Sequence, residues 1–130
     1  MHPNELVVRE MLTAHGNADE DRLVELLADD VVYHVPGNNG LSGDHIGREQ
    51  VFHLWERQVE IIGRRFVPEF SEILACEYHV VVLADGAYED AGRMLEWRMA
   101  NVYHLRDGRI TECWIGVIDG TDDFDQFWSP

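Results

Sequence analysis

His34 stands late in a run of strand-forming residues, Asp30-Val31-Val32-Tyr33-His34-Val35, and an imidazole titrating near neutrality suits removal of a proton beside a carbonyl. A polar ring late in a buried strand needs either a backbone partner or a role in a pocket. Asp119 follows Trp114-Ile115-Gly116-Val117-Ile118. At the rim of an apolar cavity its carboxylate would be pushed up and act as a base; at the head of the acidic run Asp122, Asp123 and Asp125 it would be an ordinary loop residue. Asn101, between Ala100 and Val102, offers an amide N–H to a developing enolate oxygen, or a cross-strand hydrogen bond. These three are the candidate catalytic residues. Tyr33, Trp55, Trp97 and Trp114 supply flat surfaces for the walls of a pocket, with Trp55 placed inside it. Arg98, between Trp97 and Met99, is either a binder of a carboxylate or an enolate or one half of an ion pair with Glu96 or Glu112.

Other chemistries find little support. The seven histidines form neither HxH nor HExxH, so no metal site is expected. All ten basic residues are Arg, which removes Schiff-base, pyridoxal-phosphate and Walker-type phosphate chemistry. Cys76 and Cys113 form no CxxC and sit in apolar runs, so they read as buried free thiols in a reducing compartment. Ser42 lacks a nucleophile-elbow context.

The elements that must position these side chains follow from periodicity. Leu6, Val7, Val8, Met11 and Leu12 recur at helical spacing from about Asn4 to His15, and Gly16-Asn17 stops that helix. A second short helix has Asp19-Glu20-Asp21 in its first turn and Leu23, Leu26 and Leu27 inside. Asp30 to Val35 is the first strand, broken by Pro36-Gly37-Asn38-Asn39-Gly40, and a long loop leads to a third helix over Arg48 to Ile62. Four strands follow: Phe66 to Cys76, Tyr78 to Tyr88, Met94 to Leu105 and Arg109 to Ile118. Helices first and a strand meander afterwards predict one α+β domain over residues 1–130, helices covering one face of a curved antiparallel sheet. Pro68 marks an edge or a bend.

The Asp107-Gly108 hairpin sets which side chains face inward. A two-residue turn pairs Asn101 with Trp114, whereas a three-residue turn with a glycine bulge pairs it with Cys113. The bulged register is the one favoured, because it gathers Asn101, Trp97 and Asp119 on one face.

The order helix, helix, Ala28-Asp29-Asp30-Val31-Val32-Tyr33-His34-Val35-Pro36-Gly37, the Gly47-Arg48-Glu49 helix start, Val102 through Trp114 and an Asp-rich end with Phe127-Trp128 resembles the SnoaL-like polyketide cyclase branch of the nuclear transport factor 2-like, ketosteroid isomerase-like superfamily. That resemblance covers nearly the whole chain. It implies a cone-shaped, cystatin-like α+β barrel: a strongly curved mixed sheet wrapped around the N-terminal helices, with a deep apolar pocket and a homodimer through the sheet. In the cyclase branch it implies a carboxylate base where Asp119 stands. In the ketosteroid isomerases the base falls at His34 or Val35 and a second acid at Asn101. Limonene-type epoxide hydrolases place an Arg and an Asp where this chain has Val82 and Ala84.

The formal charge of -15 opposes polyanions, so neither nucleic acid nor an anionic membrane is an expected partner. No signal peptide or membrane span is apparent, and the expected setting is the cytoplasm. The reading reached is a cofactor-independent enzyme that abstracts a proton next to a carbonyl and stabilises the enolate of a small apolar or aromatic compound, as an isomerase or an intramolecular aldol cyclase. The alternatives are a non-catalytic ligand-binding or dimerisation module of the same fold and an epoxide hydrolase.

Overall fold

The structure, a computed structural model, describes residues 1–129, with Asp90 described through its backbone only. Helix α1 spans Pro3–Gly16, opened by the His2 ring, whose Nδ1 accepts the Asn4 N–H at 3.0 Å. Helix α2 spans Glu20–Leu26 behind an Asp19 cap and runs directly into strand β1, Leu27–Val35. The loop expected after β1 contains a short strand, β2, Gly43–Ile46, antiparallel to β1. Helix α3, Arg48–Ile62, buries Val51, Leu54 and Trp55 and stops at Gly63, which is left-handed with φ 77°.

The remaining strands are β3 Glu69–Ala75, β4 His79–Asp90, β5 Arg93–Arg106, β6 Arg109–Trp114 and β7 Val117–Asp119. They form one seven-stranded sheet in the order β2-β1-β6-β5-β4-β3, with β7 added to β5. The β1–β6 pairing is parallel and the others are antiparallel, so the sheet is mixed. Pro68 directly precedes the edge strand β3, where a missing N–H costs no ladder bond. The acidic C-terminal stretch folds into a short helix α4, Thr121–Phe127, which inserts Phe124 and Phe127. Cys113 is buried, but Cys76 is exposed, contrary to the sequence reading.

The hairpin register differs from both expected registers. Asp107 and Gly108 take φ of 53° and 75°, the geometry of a two-residue type I′ turn, and Arg106 pairs with Arg109. The ladder then slips by one residue between Leu105 and His104, so Val102 stands opposite Trp114 and Tyr103 opposite Cys113. This bulge lets both Ile110 and Cys113 point inward although they are three residues apart. Along β5, Leu95, Trp97, Met99, Asn101, Tyr103 and Leu105 alternate inward.

Candidate functional site

Between the helices and the concave face of the sheet lies a cavity of about 90 Å³. Its apolar walls come from every layer. Met11 and Leu12 stand on α1, Leu54 and Trp55 on α3, Val82 and Met99 on β4 and β5, and Phe124 and Trp128 at the C-terminal end. Trp55 is the hub: the His15 ring lies 4.5 Å from it and Tyr33 meets it edge-on at 5.8 Å.

The polar groups on this lining are few. His15 is buried on the inward stripe of α1, and its Nε2–H donates to the Phe66 carbonyl at 3.1 Å. That bond fixes the tautomer, so Nδ1 carries a lone pair, and it has no partner. Burial, aided by the nearby Arg65 charge, lowers the pKa of His15 to about 4, and the ring is neutral at physiological pH. The Tyr33 hydroxyl and the Gln58 Oε1 are likewise buried without partners. Burial raises the pKa values of Tyr33 and Tyr103 well above the ordinary phenol range, keeping both as donors. Asn101 is 5% exposed; its Oδ1 accepts the Gly116 N–H at 3.4 Å, leaving the NH2 to donate elsewhere. Such buried, unpaired polar atoms each cost on the order of 1–3 kcal/mol, and their grouping marks a place where a ligand would complete them.

The structure brings Tyr33, Trp55 and Asn101 together in this cavity. It places His34 elsewhere. Because Tyr33 and Val35 turn inward, strand alternation turns His34 to the outer face of the sheet. There its Nδ1 meets Asp44 at 2.7 Å and its Nε2 meets Glu112 at 2.5 Å, while the ring stacks on Trp114 at 5.6 Å. Two carboxylate partners require two N–H donors, so hydrogen bonding to Glu112 first and Asp44 second raises the His34 pKa. Trp114 shares that outer face and is not on the lining of this cavity. Asp119 is also exposed, at the end of β7 opposite the outward-facing Arg98 of β5. Trp97 is buried beside the cavity rather than on its lining, packed on Phe127 at 4.8 Å and Phe124 at 6.0 Å. The expected gathering of Asn101 and Asp119 on one face is therefore corrected: the register that would have joined them is not the one formed.

Sequence reasoning passed over His15. Its signal was available, since Val8, Met11, Leu12 and His15 share one helical stripe, and a histidine on an apolar stripe needs explaining. Val82 and Ala84 are buried and apolar, without the ionic pair that epoxide-opening chemistry of the limonene type requires. Among the described residues no three His, Cys, Asp or Glu side chains converge as a metal site, and no helix is long and apolar enough to cross a membrane.

The sequence model of the SnoaL-like domain family matches residues 8–113. No curated protein matches the chain. Among solved structures, Bal32a from a soil-derived mobile gene cassette is 26% identical, covers 97% of this chain and 96% of its own, and superposes with a TM-score of 0.86. IdmH from Streptomyces antibioticus, described as a candidate polyketide cyclase, is 25% identical over 92% of this chain and 95% of its own, with a TM-score of 0.67. TerC, co-crystallised with polyporic acid, is 18% identical over 97% of this chain and 98% of its own, with a TM-score of 0.77.

Proposed function

This chain belongs to the SnoaL-like domain family, and from that premise we propose that its cavity takes up a small, planar carbonyl compound and moves a proton on it without a cofactor. The observation that carries this reading is the grouping of an unpartnered imidazole lone pair, an unpartnered phenol and a spare amide NH2 on an otherwise apolar and aromatic lining.

In this reading the substrate carbonyl accepts from the Asn101 NH2 and the Tyr33 hydroxyl, and its ring lies against Trp55. His15 Nδ1 takes the proton from the carbon beside the carbonyl, and charge collects on the oxygen held by the two donors. The proton on His15 then returns to another carbon of the same molecule, which is isomerisation, or the enolate carbon attacks a second carbonyl of the substrate and that oxygen receives the proton, which is an intramolecular aldol closure. A base whose conjugate acid lies near 4 is weak but fully available at neutral pH. Bases of comparable strength suffice for enolisation where the oxyanion is well held. The likeness to IdmH, described as a candidate polyketide cyclase, is in keeping with the ring-closing form of this reading.

A second reading, a ligand-binding module without turnover, is favoured by one observation: among the described residues no carboxylate lines the cavity. Both readings are tested with 2-acetylnaphthalene in D2O. Deuterium entering its methyl group, followed by NMR, is expected with the wild type and lost in His15→Gln while binding is retained. Asn101→Leu and Tyr33→Phe are each expected to weaken binding of the enolate mimic 2-naphthol about tenfold, and His34→Ala to leave it unchanged. Binding without exchange in the wild type decides for the module; binding indifferent to Asn101 and Tyr33 removes this cavity as the site.

The outer face of the sheet belongs to the same proposal. Leu74, Val81, Val102 and Trp114 stand in register across β3, β4, β5 and β6, with Leu74 57% and Trp114 38% exposed. An in-line apolar row of this kind fits a second copy of the chain.

A further inference from the structure

Leu41 and Leu54 have two sides. On one they line the buried cavity, and on the other they line a shallower cleft walled by His45, Gln50, His53 and Arg57. The cleft is therefore adjacent to the cavity, and the two share Leu41 and Leu54 as lining.

Its chemistry contrasts with the rest of the molecule. In a chain with 25 acids against 10 bases, none of the described acids lines this cleft. Gln50, His53 and Arg57 recur at helical spacing along α3, while Glu49, Glu56 and Glu60 fall on the adjoining stripe and are not among the residues that line the cleft. The Gln50 Oε1 already accepts the Ile46 N–H at 2.9 Å, so its NH2 is left as a donor. His45 is committed to the Leu41 carbonyl at 2.8 Å and ties down the loop that carries this leucine. Among the described residues Arg57 forms no ion pair with a carboxylate. The cleft thus presents a forked guanidinium and an amide NH2, with the His53 ring between them on the helix, and no carboxylate among the described residues of its walls.

We infer that the ligand of this protein carries a carboxylate: its planar body fills the cavity inside Leu41 and Leu54, and the carboxylate is held outside them by Arg57 and Gln50, with His53 alongside. This rests on the reading of the inner cavity as the ligand site and adds the class of molecule it takes, an aromatic or apolar keto acid. Leu54 and Arg57 are three residues apart on α3, a rise of about 4.5 Å, so the shared wall and the guanidinium stand on neighbouring turns of one helix.

The test compares 6-acetyl-2-naphthoate with 2-acetylnaphthalene, which differ by the carboxylate alone, by isothermal titration calorimetry at low salt. The acid is expected to bind the wild type at least tenfold more tightly than the ketone, as a charge-assisted pair at a partly enclosed site allows. Arg57→Gln, a change at an exposed position, is expected to abolish that preference and leave the ketone affinity unchanged; Arg57→Lys should restore part of it. Equal affinities in the wild type overturn the inference, and so does a preference that survives Arg57→Gln. An Arg57-dependent preference without deuterium exchange leaves this inference standing while the enolisation reading fails. If neither compound binds, both fall.

Discussion

His15 and His34 carry the same side chain into opposite electrostatic settings. His34, between Asp44 and Glu112, has its pKa raised, so its stabilising contribution is fully present below the ordinary histidine pKa and fades as pH rises through the higher native value. His15 works the other way. The unfolded chain binds its proton near 6.5 and the native state only at about 4, so in that window the unfolded state holds more protons and acidification favours it. The loss from His15 alone approaches about 3 kcal/mol by pH 4. Urea denaturation should show stability falling from pH 6.5 to 4, and His15→Gln should flatten that slope; an unchanged slope would show that this ring does not titrate as described. The sequence identified residues of the cavity, Tyr33, Trp55 and Asn101, by their type and place. It could not separate Tyr33 from His34, because one residue of alternation decides which faces the interior and nothing local fixes the phase.

At the scale of elements, the hairpin between β5 and β6 was legible as a turn and illegible as a register. Asp107-Gly108 announces its φ values through residue type, but the bulge that follows depends on how Ile110 and Cys113 pack against the core, which only tertiary structure decides. The short strand β2 was hidden in the same way, since a Gly-Asp-His-Ile sequence has little strand propensity and is held by pairing with β1. Helix α3 was legible over its full span because its apolar stripe is long and its glycine stop clear. One position on β4 has no freedom at all. Gly86 lies opposite Trp97, and a Cβ there would come within 2.1 Å of the indole ring. Gly86→Ala must displace Trp97 from its packing on Phe124 and Phe127, and is expected to cost about 2–3 kcal/mol in chemical denaturation. A cost below about 0.5 kcal/mol would mean that the ring moves aside freely.

For the whole molecule, charge and apolar exposure pull in different directions. A net charge of -15 keeps copies apart over most of the surface, yet the outer sheet face carries the Leu74–Val81–Val102–Trp114 row. If that row meets a second copy, sedimentation velocity should report a two-chain particle for the wild type and one chain for Trp114→Glu, with a larger two-chain fraction as salt screens the repulsion. A wild type that sediments as one chain at all salt concentrations removes the dimer from the proposal. The parallel seam between β1 and β6 sets an order of events during synthesis. Residues 27–35 have only β2 as a strand partner until residues 109–114 exist, so a chain leaving the ribosome carries α1 to α3 and the β1–β2 pair before the seam can close. The β4–β5 hairpin, being local, can assemble early, whereas joining β1 to β6 must close a loop across most of the sequence and comes late. Tyr33 and Asn101 stand on either side of that seam, and the binding cavity is thus among the last parts of the protein to come into being.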